Sequence, residues 1–419
     1  MLRRLMMLAC LLTAAAPAAA QLDGNFDEAR VPAYTLPDPL RMSDGTPVTS
    51  VRQWETERRP QLLDLFARTI YGVSPPAPTT ERFVVTDLDR HALGGLAVRK
   101  QVMILLDGKA DGPQTSVLIY LPAKAKGSVP VFVGLNFHGN QAVNADPAIA
   151  IAHSWVAAPG DGIVKHHATV KSRGIEAGEW PIEQILRAGY GVATYFPGDL
   201  YPDGEGQVAE SIQPFYHTNP SFPSHWGAIA TWAWGLSRVY DYLATDRDVD
   251  ARRVIVIGHS RYGKAALWAG ASDPRFAMVV SNDSGEGGAS IYRRDFGETI
   301  RVMNDYWFAP LFKTFAYREN ELPIDSNELI SLIAPRPVYV ASATKDLWSD
   351  PKGEFLAASA AGRVYHLYGL KGLETDRMPA PDRSIGDRIG YHIRTGVHEI
   401  TPEDWGFYIA FANRNLPRK

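Results

Sequence analysis

The chain has 419 residues, 45% of them apolar and 21% charged, with a formal net charge of −3. This is the composition of a soluble globular chain with ample length for a large core, and near-neutral charge argues against nucleic acid as the main partner. Length alone would allow two domains, but single α/β domains with insertions reach this size.

Met1 to Ala20 reads as a secretory signal peptide: Arg3 and Arg4, an apolar stretch from Leu5 to Ala15, then Ala18–Ala19–Ala20 before Gln21. It is too short to span a bilayer, so no membrane anchorage is expected. The single Cys, Cys10, lies inside this segment. Acylation of Cys10 is the weaker alternative, because the apolar run before it is short. Cleavage after Ala20 leaves a mature chain, 21–419, without Cys or disulfide. The leader predicts a periplasmic or secreted bacterial protein.

A Pro-rich polar stretch follows to about Ser50 and reads as a surface arm. Val51 to Tyr71 predicts an amphipathic helix, with Trp54, Leu62, Leu63, Leu65, Phe66 and Ile70 inward and Arg58 and Arg59 on the wet side. Phe83–Thr86, Val98–Leu106 and Ser116–Leu121 read as strands. Pro130–Phe137 reads as a buried strand ending in His138–Gly139–Asn140; His138 suits either an oxyanion-site loop or a hydrogen-bonded structural role. The stretch 144–180 is aperiodic and predicts a long surface insertion. Pro181–Ala188 predicts a helix and Tyr190–Tyr195 a strand. Asp199, Asp203 and Glu205 lack the oxygen-ligand spacing of a calcium loop and read as solvated turn acids. Ser224–Ala244 predicts a long helix whose Trp226, Trp232 and Trp234 belong to the core.

Val254–Ile257 is a run of four β-branched residues, ended by Gly258 and followed by His259–Ser260–Arg261–Tyr262–Gly263–Lys264 and a helix start at Ala265. A Ser in a tight strand-to-helix turn is the nucleophile elbow of α/β-hydrolases, although the second Gly falls one residue late for Gly-x-Ser-x-Gly. Strands continue at Phe276–Ser281, Pro337–Ala343 and Val364–Tyr368, the last of the sheet. Thr401–Pro402–Glu403–Asp404 is a helix start, with His398 in the loop before it. Strands separated by helices predict a mostly parallel sheet with helices on both faces, and with the elbow this reads as an α/β-hydrolase fold in one catalytic domain. Ser260, Asp346 and His398 then occur in the chain order nucleophile, acid, base, each in a loop at a strand or helix end. Asp283 competes with Asp346 for the acid role, and Asp346 is favoured.

These residues resemble the glucuronoyl esterases, carbohydrate esterase family 15. The family elbow, Gly-x-Ser-Arg-x-Gly-Lys, is matched by Gly258 to Lys264, and the resemblance runs from about Arg52 to the C-terminus. It includes Asn136 to Asn140, Ser284 to Gly288, Phe296–Gly297–Glu298, Asp346–Leu347–Trp348, and His398 before Thr401 to Trp405. It implies Ser260 as nucleophile, His398 as base and Arg261 as the oxyanion residue. It implies Lys264, Glu298 and Trp348 as sugar contacts. Family members place the acid at either of the positions held here by Asp346 and Asp283. His259 stands where the fungal branch has a disulfide-bonded Cys, so the likeness is to the bacterial branch. The implied activity is cleavage of the ester between 4-O-methyl-glucuronic acid of glucuronoxylan and a lignin alcohol, without metal or cofactor. Alternatives are another carbohydrate esterase of acetylxylan or feruloyl type, a peptidase, or a non-catalytic binder of acidic polysaccharide. A monomer is the default expectation.

Overall fold

The computed structural model describes residues 24–157, 160–216 and 223–416. The expected leader, 1–20, lies outside them. Ten strands form one sheet: β1 (Arg82–His91), β2 (Ala97–Leu105), β3 (Gln114–Pro122), β4 (Val129–Leu135), β5 (Gly191–Tyr195), β6 (Val249–His259), β7 (Met278–Asn282), β8 (Val338–Ala343), β9 (Ile385–Gly386) and β10 (Ile389–Arg394). Their order is β1-β2-β3-β5-β4-β6-β7-β8-β10-β9. The edge strands β1, β2 and β3 are antiparallel, as is β9 on β10. From β5 through β10 the pairings are parallel.

The apolar runs are uninterrupted because helices cover both faces of the sheet. Period-2 alternation sends Val131, Val133, Val254, Val256, Val338 and Val340 into one core. Phe132, Ile255, Ile257, Tyr339 and Ala341 enter the other. The first core packs under α1 (Ala228–Thr245), α2 (Arg261–Ser272) and α3 (Pro351–Leu367). The second packs under α4 (Pro402–Asn415) and the short helix Ile182–Arg187. Trp226, Trp232 and Trp234 are buried in the first core, as the sequence predicts.

Val51 to Tyr71 is helical throughout, with widened π turns at Trp54–Arg58 and Ala67–Tyr71. Three expectations are corrected. Arg58 is buried rather than wet, because its guanidinium pairs with Glu328 at 2.7 Å. Val364–Tyr368 is not a strand but the last turn of α3 with its C-cap Tyr368. That helix is set by its cap: the Asp350 carboxylate accepts from Gly353 N–H, Pro351 opens the first turn, and Phe355, Ala358, Ala361 and Tyr365 line its buried face. The strand taken for Val364–Tyr368 is β10, whose Gly390 lets the rings of Tyr339 and Phe411 pass where a Cβ would meet them at 2.4 and 2.7 Å. Finally, Asp199 and Asp203 are not solvated turn acids. Asp199 accepts from Ser154, Thr115 and Ser116 N–H, and Asp203 is held in the site described next; Glu205 is exposed.

The C-terminal ends of β6, β8 and β10 point the same way. Ser260, Asp346 and His398 follow those ends, at the sheet edge where open α/β folds place ligands.

Candidate active site

Ser260 sits between the end of β6 and the start of α2 with φ 57° and ψ −135°. A non-glycine residue holds such a backbone only when its surroundings impose it. Here Ser260 N–H donates to Asn282 O at 2.9 Å, and Ser260 O accepts from Gly263 N–H at 2.8 Å. Gly258 and Gly263 make the turn possible. A Cβ on Gly258 would lie 1.9 Å from Tyr262 O, and one on Gly263 would lie 2.9 Å from the Ser284 side chain. The turn puts the hydroxyl at the strand end and Arg261 N–H in the first helical turn, where donors lack intrahelical partners.

His398 lies in the loop between β10 and α4. Its Nδ1 is 2.6 Å from Asp346 Oδ2, and its side chain is 37% exposed against 3% for Asp346. The imidazole is therefore held from the protein side and open on the other. The loop is fixed by Arg394, whose Nη2 donates to Val397 O at 2.9 Å and Glu399 O at 3.1 Å. Arg394 is held in turn by Asp404 of the α4 capping box. His259, beside Ser260, packs its ring 4.6 Å from that of His398. Burial, with His398 and Arg261 nearby, pushes the His259 pKa well down, so it stays neutral.

Asp283 faces the same pair but does not take His398 as a partner. Its Oδ2 accepts from Asn282 Nδ2 at 2.8 Å. Burial, reinforced by Glu354 and Asp346, raises its pKa well above the carboxylate range. Asp283, Asp346 and His398 place ligand-capable atoms within 4.8 Å of one another, the cluster among the described residues that could hold a metal ion. The same spacing also serves a carboxylate-held base.

Arg261 Nε lies 2.5 Å from Asp203 Oδ2. Its guanidinium lies over the Phe137 ring at 4.8 Å and near the Tyr262 ring at 5.2 Å. Lys264 is buried, and its Nζ donates to Ser284 O, Glu286 O and Glu298 Oε2 at 2.7, 2.7 and 2.6 Å. Those three acceptors match the three donors of an ammonium group. Trp348 is half-buried, 6.3 Å from Phe26 of the N-terminal arm, and its carbonyl accepts from Glu298 N–H. In the 136–140 loop, Glu176 from the 144–180 segment accepts from Phe137 N–H at 3.1 Å and lies 2.7 Å from His138 Nδ1. His138 is thus tied into a structural pair.

The structure brings Ser260, His398, Asp346, Arg261 and Asp283 to one end of the sheet, with Lys264 and Glu298 bonded to each other. The sequence reading missed the roles of His259, Asp203, Glu176 and Arg394. The partners of Asp203 and Glu176 lie far along the chain, His259 meets His398 only in the folded chain, and Arg394 acts mainly on backbone carbonyls, which no sequence spacing marks. A strained hydroxyl, a carboxylate-held imidazole and a cation at the turn are the parts that acyl transfer by a serine nucleophile requires.

Residues 175–369 match the family model of the fungal glucuronyl esterases. A carbohydrate esterase from an unknown prokaryotic organism is 48% identical over 94% of this chain and 92% of its own length. The solved glucuronoyl esterase of Solibacter usitatus is 46% identical, covering 92% of this chain and 99% of that one with a TM-score of 0.87. A solved promiscuous esterase of carbohydrate esterase family 15, from a marine bacterial metagenome, reaches 48% identity and a TM-score of 0.88 over 94% of this chain and 100% of its own. The 4-O-methyl-glucuronoyl methylesterase of Phanerochaete carnosa is 29% identical over 80% of this chain and 72% of its length. The chain belongs to carbohydrate esterase family 15, the glucuronoyl esterases, which are carboxylic ester hydrolases with an α/β-hydrolase fold.

Proposed function

We propose that this enzyme hydrolyses esters of 4-O-methyl-glucuronic acid, with the glucuronoyl–lignin alcohol linkages of glucuronoxylan as its substrate class. The observation that carries the reading is the 2.6 Å His398–Asp346 pair at the strand ends beside Ser260 in its strained turn.

Ser260 Oγ attacks the ester carbonyl carbon as His398 Nε2 takes its proton. Asp346 holds the Nδ1–H tautomer and stabilises the imidazolium. The oxyanion meets Arg261 through its N–H and guanidinium, and removal of one such donor typically costs about 10²–10³ in rate. The intermediate collapses, the alkoxide leaves with the proton from His398, and the glucuronoyl group stays on Ser260. Water, deprotonated by His398, then releases the free acid. Glu298 and Lys264 form one wall for sugar hydroxyls; a hydroxyl that reaches Lys264 shares or displaces one of its three acceptors. Trp348 offers a ring face at the rim. Asp283, bonded to Asn282 and with its pKa raised by burial and by Glu354 and Asp346, serves as a neighbour of Asp346 rather than the acid of the set.

The test is hydrolysis of benzyl glucuronate beside acetylated xylan, by wild type and Ser260→Ala. Cleavage of the glucuronate ester, lost in the variant, is expected. Cleavage of acetyl esters alone would assign the site to another carbohydrate esterase and remove the sugar-binding roles of Lys264 and Glu298.

A further inference from the structure

Asp203 lies in the loop after β5, far in sequence from the elbow, yet its carboxylate is shared between two parts of the site. One oxygen, Oδ2, is the 2.5 Å partner of Arg261 Nε. The other, Oδ1, accepts from Tyr306 Oη at 2.8 Å and from Trp307 Nε1 at 2.8 Å. Trp307 in turn sets its ring 6.0 Å from Lys264 Nζ. Tyr306 is stacked on Tyr201 with centroids 6.1 Å apart and an interplanar angle of 7°. The carboxylate is only 9% exposed, and the Arg261 side chain 20%.

An arginine serves an oxyanion only if its plane is fixed before charge develops, because reorientation during the reaction would cancel the gain. A long side chain reaching a cleft does not hold one rotamer by itself. The Asp203 carboxylate, 2.5 Å from the inner nitrogen Nε, holds the guanidinium there by charge, although Nε–H makes no aligned hydrogen bond. The Phe137 ring at 4.8 Å supports the group from another side. A carboxylate with two neutral donors on its second oxygen cannot swing away with the arginine.

We propose that Asp203 is the positioning residue for Arg261. The proposal rests on Arg261 acting at the oxyanion, as in the proposed function. It makes Asp203 matter for turnover without touching the ester.

The test is a double-mutant cycle on benzyl glucuronate hydrolysis with Asp203→Asn and Arg261→Ala. The amide keeps an acceptor for Tyr306 and Trp307 but sets a donor against Arg261 Nε. Asp203→Asn is expected to lower kcat by roughly 10–50-fold with KM within about twofold, and to add no further loss in the Arg261→Ala background. A loss of the same factor in both backgrounds would overturn the proposal, as would unchanged kcat with only a lower Tm. Wild-type kcat in Arg261→Ala itself would instead overturn the oxyanion role, so the two failures are distinct. A second variant serves if Asp203→Asn does not fold: Tyr306→Phe keeps the Asp203 charge but removes one of the two bonds on Oδ1. It is expected to lower kcat by roughly 2–5-fold, with no further loss in the Arg261→Ala background; the same loss in both backgrounds would overturn the proposal.

Discussion

Ser260 pays for its place at the strand end in backbone strain, and neighbours hold it there through Asn282 and Gly263. At this scale the two carboxylates near His398 are separated by what each touches. Asp346 contacts Nδ1, whereas Asp283 contacts Asn282 and has its pKa raised by burial, with Glu354 and Asp346 beside it. Asp346→Asn is expected to lower kcat by about 10³–10⁴ through loss of the correct tautomer, as carboxylate-to-amide changes do in serine hydrolases. Asp283→Asn should cost less than about tenfold, because Asp283 makes no hydrogen bond to His398 and its bond partner is Asn282. Steady-state kinetics on benzyl glucuronate check both; the reverse ranking would give Asp283 the acid role. Ser260, Asp346 and His398 were legible in the sequence, because each sits at an element boundary with a recognisable local pattern. Asp203 was not, since only the folded chain reveals that its charge is spent on Arg261.

Elements position the site through their ends. The β6–α2 turn depends on Gly258, where a Cβ would meet Tyr262 O at 1.9 Å, a backbone atom with nowhere to move. The β10–α4 loop depends on Arg394, which draws Val397 and Glu399 carbonyls toward one guanidinium and is anchored by Asp404. Arg394→Met is expected to lower kcat by about 10–100-fold with little change in KM, because His398 then loses its fixed approach to the reacting centre. An equal fall in kcat/KM through KM alone, in a kinetic comparison of variant and wild type, would show the loop contributing to binding instead. Most strands were readable as β-branched runs within a few residues of their ends. The exception, Val364–Tyr368, has strand-forming residues but sits downstream of a strong helix start at Asp350 and Pro351, and the cap with the buried face of α3 outweighs them. The real strand, β10, was hidden by Gly390 and by His392, a polar residue buried through bonds to Asp404 and Tyr339.

Across the whole molecule, several buried acids have their pKa raised by burial. Glu179, beside the elbow core, has its pKa pushed up to about 8 by burial and then by Glu176 and Glu399. Its ordinary value is 4.5, so its contribution to stability is complete below about pH 4.5 and is lost as pH rises toward 8. Tm is expected to fall over that window, and Glu179→Gln should flatten the fall; an unchanged slope in thermal unfolding scans would assign the pH dependence elsewhere. The α/β class and the two-faced sheet followed from apolar runs alternating with helical segments along the chain. The buried acids did not, because burial of a carboxylate depends on what folds over it.

The central claim is that Ser260 carries the glucuronoyl group during turnover. Acid quenching of the wild-type enzyme in steady-state hydrolysis of benzyl glucuronate, followed by peptide mass mapping, tests it. A glucuronoyl adduct on the peptide containing Ser260, absent from Ser260→Ala, is expected. Turnover that persists in Ser260→Ala, or an adduct on a different peptide, would contradict the account.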